Sequence, residues 1–162
     1  MNQLEIRRTV ESDIQIAFRG VTLGAGISLR QAQLAERNAP SASLAPGEIV
    51  DDWSRVPLDE LGRNCTAYLD AGGFRYYIPA LMLSVLNHYD SASMRVIGTL
   101  SSIYPKKDDG WEYHMHRYSL LDHARKTAIA RFLAALPKLV DLDLADQTIV
   151  SRALRHYWGQ YL

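Results

Sequence analysis

Apolar positions recur three and four apart at Val10, Ile14, Ala17, Phe18 and Val21, so this stretch predicts a helix with one buried face. Ser12 and Asp13 suit its start. Leu23-Gly24-Ala25-Gly26 suits its end, because two nearby glycines permit the left-handed backbone that stops a helix. Ser28 can cap a second helix carrying Leu29, Ala32 and Ala35. The small and turn-forming residues at about 38–47 then predict a surface loop. A short helix is expected from Pro57, with Leu58 and Leu61 behind it.

Cys65 to Leu69 reads as a short extended piece, and Asp70-Ala71-Gly72-Gly73 as a turn or the approach to the next helix. From Phe74 to His88 the chain is apolar almost all round. A helix of that kind must be covered on every side, so it is the expected central element, with Pro79 in its first turn or at a kink. Ser91 to Ser102 allows a short helix, and Tyr104 to Gly110 reads as a solvated turn. Trp111 to Tyr118 alternates aromatic, charged and histidine residues and is expected to be extended or irregular.

The last third carries the clearest pattern. Leu121, Ala124, Ala128, Ile129, Phe132, Leu133 and Leu136 form a wide apolar stripe that Pro137 is expected to end. After Asp141-Leu142-Asp143 a final helix should gather Ile149, Val150, Ala153, Leu154, Tyr157, Trp158 and Tyr161 on one side. The pattern therefore predicts a mainly α protein: one irregular helical bundle over residues 1–162, with room for one short extended or hairpin segment.

Composition narrows the function classes. The chain has 162 residues, 48% of them apolar, with eighteen cationic against eighteen anionic side chains. A formally neutral chain has no global field with which to hold nucleic acid or an anionic membrane, so neither is an expected partner. The most apolar stretch, Phe74 to Leu86, is shorter than the roughly 20 residues that cross a bilayer. One cysteine, Cys65, and the lack of a signal-like apolar run after Arg8 lead us to expect a cytoplasmic location.

Charge is unevenly spread. Glu48, Asp51, Asp52, Asp59 and Glu60 face only Arg55, leaving −4 around Trp53. Trp53 then has two readings, a core side chain among solvated acids or an interface anchor ringed by them. Arg117, Arg125, Lys126 and Arg131, opposed by Asp122, give a +3 stretch that reads as a solvated outer face. His114 and His116 would share one side of a strand, and with Asp122 and His123 just beyond they read either as a metal-binding set or as surface or half-buried histidines. Gly24 and Gly26 lack the third glycine of a dinucleotide fingerprint. There is no phosphate loop and no Gly-x-Ser-x-Gly elbow.

Several segments taken in order resemble a bacterial family of unknown function: Ala17-Phe18, Gly24 to Arg30, Asp52-Trp53 with Val56-Pro57, and Ala153-Leu154 with Tyr157-Trp158. So does Leu69-Asp70 leading into Gly73-Phe74-Arg75-Tyr76-Tyr77-Ile78-Pro79-Ala80, since the family's hallmark reads Gly-Phe-Arg-Phe-Tyr-Leu-Pro-Ala. Tyr76 and Ile78 depart mildly from it, and His114 and His116 lie outside the pattern. The resemblance spans most of the chain and implies no activity, cofactor or catalytic residue. The hallmark itself reads as structural. Arg75, set among aromatics, needs a carboxylate or carbonyl partner, and Asp70 is the nearest acid.

By elimination, the expected function is non-catalytic protein binding without a cofactor. An immunity protein that neutralises a secreted toxin fits best, docking through Asp51, Asp52, Trp53, Asp59 and Glu60. The alternatives are a small metal-dependent enzyme using His114, His116 and His123, and a self-associating structural protein.

Overall fold

The computed structural model describes residues 1–38, 43–63, 65–108 and 110–162. Residues 39–42 of the expected loop and Asp109 of the expected turn lie outside them. Among the described residues every regular element is helical, and the buried apolar side chains form one continuous core. The expectation of a mainly α bundle holds.

Eight α-helices follow in order: α1 Gln3–Ala17, α2 Leu29–Glu36, α3 Leu58–Leu61, α4 Ala71–Asn87, α5 Met94–Ser102, α6 Trp111–Arg117, α7 His123–Leu139 and α8 Leu144–His156 among the described residues. Short 3-10 turns occupy Trp53–Arg55, Thr66–Tyr68 and Trp158–Tyr161. Most starts carry a side-chain cap. Asn2 with Glu5 and Ser28 with Gln31 form reciprocal capping boxes, while Asp70, Asp122 and Asp143 each accept from the backbone N–H three residues on.

α4 is the central helix. Of its 17 residues 13 are buried, which a helix can sustain only when covered on all sides. α1 lies along α7, and both touch α4, as do α3, α5 and α6. Pro79 sits well inside α4 rather than in its first turn.

Several local expectations are corrected. α1 begins nine residues before Ser12, because Asn2 and Glu5 satisfy its first free donors. Residues Thr66–Tyr68 form a 3-10 turn, not an extended piece. Trp111 to Arg117 is a helix, α6, launched from Gly110 at φ +83°, a left-handed backbone that suits glycine. α7 continues through Pro137 to Leu139, since a proline in the last turn removes only one bond. The final helix breaks at Tyr157, so Trp158 and Tyr161 sit on a separate turn.

Gly24, at φ +57°, takes the left-handed backbone expected of it, but Gly26 serves another purpose. A Cβ on Gly26 would meet the Gly73 nitrogen at 2.7 Å, and one on Gly73 would meet the Ile27 carbonyl oxygen at 2.3 Å. Two backbones cross here without side chains between them. Asp70 seals the crossing: its Oδ1 accepts from Ile27 N at 2.9 Å and from Gly73 N at 2.8 Å. The expected Arg75–Asp70 ion pair is therefore replaced by backbone bonds. Among the described residues the buried Arg75 Nε has no hydrogen-bond partner.

Candidate functional site

The acidic stretch folds into the Trp53–Arg55 turn and α3. Trp53 is 5% exposed and its indole donates to the Phe18 carbonyl at 2.9 Å, so it belongs to the core and its ring is not available as an anchor. Asp52 caps the turn, accepting from Ser54 N at 3.0 Å and Ser54 Oγ at 2.6 Å. Glu60 is clamped by Arg30 at 2.8 Å and Arg63 at 2.9 Å. Those bonds, that from Arg63 foremost, pull its carboxyl down to about 2. Asp51 and Asp59 remain exposed, with no ion pair to any described residue.

The three histidines are not brought together. On α6, His114 and His116 are two residues apart, which on a helix turns them to nearly opposite sides. His116 is exposed, and His123 opens α7 with its ring against Tyr161 at 5.8 Å. Among the described residues no group of three or more His, Cys, Asp or Glu side chains converges. The shared face needed a strand, and the segment is helical.

The basic stretch also disperses. Arg125 donates to the Ala17 carbonyl at 3.2 Å, Lys126 lies over the Tyr157 and Tyr161 rings, and Arg131 pairs with Asp13 at 3.1 Å. Arg117, counted with them in the sequence, is on a different helix and is only 2% exposed.

Arg117 instead lines a cavity of about 460 Å³. The Thr66–Tyr68 turn, the end of α5, the Tyr104–Lys106 connection, α6 and Ile149 of α8 each contribute to its wall. Arg117 Nη2 donates to the Thr66 carbonyl at 2.7 Å, and the guanidinium packs on the rings of Phe74 at 4.9 Å and Tyr113 at 5.2 Å. The Tyr113 hydroxyl in turn donates to the Ala67 carbonyl. Burial lowers the Arg117 pKa, and the groups that oppose this are the tyrosines Tyr113 and Tyr118, not a carboxylate. Its buried Nε has no acceptor among the described residues.

Beside it His114 is half-buried, and its Nδ1 lies 3.4 Å from the Tyr118 hydroxyl. Burial first, then the charge on Arg117, push its pKa down to about 4, so it is neutral at neutral pH. Lys106 is exposed near the Tyr104 ring at 6.0 Å. The described lining thus holds a guanidinium, an ammonium and a neutral imidazole, with no acid. Sequence reading missed this grouping, although Tyr113 and Arg117, four apart, would share a face of any helix.

Two of these shifts predict a loss of stability in acid. Between pH 6.5 and about 4 the unfolded chain protonates His114 while the folded chain does not, so stability falls as pH falls across that window. Glu60, held well below its ordinary 4.5, adds a second loss from pH 4.5 down to about 2. Urea midpoints measured against pH should flatten in the upper window for His114→Gln and in the lower for Glu60→Gln. Curves parallel to wild type would show that neither group carries the dependence.

Among the described residues no helix is long and apolar enough to cross a membrane. No curated protein and no solved structure matches the chain. A family model, however, matches residues 6–162, nearly the whole of the helical core just described. The chain belongs to the family of unknown function DUF6714.

Proposed function

We propose that this chain works by binding a protein partner and not by catalysis, as an immunity protein that holds a basic secreted toxin. The supporting observation is the acidic turn: Asp51 and Asp59 stand exposed on a frame fixed by buried Trp53 and by the Glu60 clamp. Carboxylates on a rigid frame lose little freedom on binding, and they speed encounter with a cationic surface. Trp53 and Glu60 thus brace the surface, and Asp51, Asp52 and Asp59 face the partner.

The resting state of the reactive groups fits the same reading. The Cys65 thiol donates to the Leu29 carbonyl at 2.9 Å, and burial pushes its pKa up to about 11, which keeps it protonated and a poor nucleophile. Burial likewise raises the Tyr118 phenol.

The test uses the product of the neighbouring gene as partner, with affinity measured by calorimetry. Asp51→Lys combined with Asp59→Lys should weaken binding about tenfold, mostly through the association rate, and leave thermal stability within about 0.5 kcal/mol of wild type. Unchanged affinity at low salt discards this surface. Catalytic turnover by the purified protein discards the binding role.

A further inference from the structure

We infer that the cavity beside Arg117 is a binding site for a small organic oxyanion, a carboxylate or phosphate carried on an aromatic or apolar body. A guanidinium taken out of water is costly unless an anion or a full set of acceptors meets it. Arg117 is 2% exposed, and its neutral partners are the Thr66 carbonyl and the Tyr113 side chain, yet its Nε has no acceptor among the described residues. The side chain is also held against the Phe74 and Tyr113 rings. An arginine so fixed is a pre-organised receptor, since little rotamer freedom remains to be lost when an oxyanion arrives.

The rest of the cavity agrees with this chemistry. Lys106 adds a second positive charge, His114 stays neutral, and the described lining has no carboxylate to repel an anion. Tyr104, Tyr113, Ile149 and Ala67 supply apolar wall, and about 460 Å³ falls in the size range of small-molecule pockets. The ligand therefore has two parts, a charged head for the guanidinium and an apolar body for the aromatic wall. The site shares no lining residue with the acidic turn proposed to meet a protein, so it stands or falls separately.

Calorimetry and histidine NMR on the full chain, with four probes, test the assignment. Benzoate and phenyl phosphate should bind and shift the His114 ring resonances, benzamide should not, and inorganic phosphate should bind at least tenfold more weakly than phenyl phosphate. Arg117→Gln should abolish benzoate binding, and Lys106→Glu should weaken it about tenfold. Where Arg117→Gln does not fold, Lys106→Glu and Ser101→Trp decide. Both residues are exposed on the cavity wall, and the indole should block it. Benzamide binding as well as benzoate would overturn the oxyanion role. Inorganic phosphate equalling phenyl phosphate would overturn the apolar subsite. No binding by any probe, or benzoate affinity unaffected by Lys106→Glu and Ser101→Trp, would overturn the site.

Discussion

Gly73→Ala should lower stability by about 3 kcal/mol, because the added methyl has no space and the atom it meets is backbone. Its Cβ would lie 2.3 Å from the Ile27 carbonyl oxygen, closer than any stable contact. Relief requires the first turn of α4 to move away from residues 26–27. That movement also pulls Asp70 off the two backbone donors it joins, so one methyl opens a junction rather than a single contact. Gly62→Ala is the control. Gly62 has a right-handed backbone at φ −78°, and its nearest atom would be 3.3 Å from the new methyl. Its unfolding free energy in urea should stay within about 0.5 kcal/mol of wild type. A Gly73→Ala protein equally close to wild type would refute the crossing described for Gly26 and Gly73.

Trp158→Ala should cost about 4 kcal/mol, within the usual range for emptying a large aromatic site in a core. The residue is 0% exposed, its indole donates to the Ile103 carbonyl at 2.7 Å, and its ring contacts Tyr118 and Tyr157, each at 4.8 Å. Trp158→Phe separates the two contributions. Phenylalanine fills much of the volume but leaves the buried Ile103 carbonyl without this donor, for an expected loss of about 2 kcal/mol. Denaturant unfolding of the three proteins provides the ladder. A Trp158→Phe loss as large as that of alanine would assign the whole effect to the hydrogen bond.

Both positions lie in segments whose character the sequence displays. Gly73 leads the apolar stretch expected to be central, and Trp158 closes the final amphipathic pattern. In neither case does the spacing reveal the reason for the residue. Gly73 is needed because a second backbone, 46 positions away in the chain, passes at contact distance. Trp158 is needed where the helix has already stopped.

The candidate sites divide in the same way. The acids Asp51, Asp52, Asp59 and Glu60 are neighbours in the chain, so their clustering was visible. Their unequal fates were not, because Arg30 comes from α2 to hold Glu60, and the indole of Trp53 finds its acceptor at Phe18. The histidine set rested on an extended segment. Once Gly110 starts a helix there, two-residue spacing separates His114 from His116.

Periodicity and caps are local signals, and they were enough to identify a helical protein with α4 at its centre and one buried face on each of α7 and α8. Partnership between distant segments is not encoded in any spacing and emerges only when the chain packs. Folding removed Arg117 from the basic stretch and set it without a described carboxylate in a cavity assembled from α5, α6, α8 and the Thr66–Tyr68 turn. A buried charge is defined by what surrounds it, and its surroundings exist only after the chain has packed.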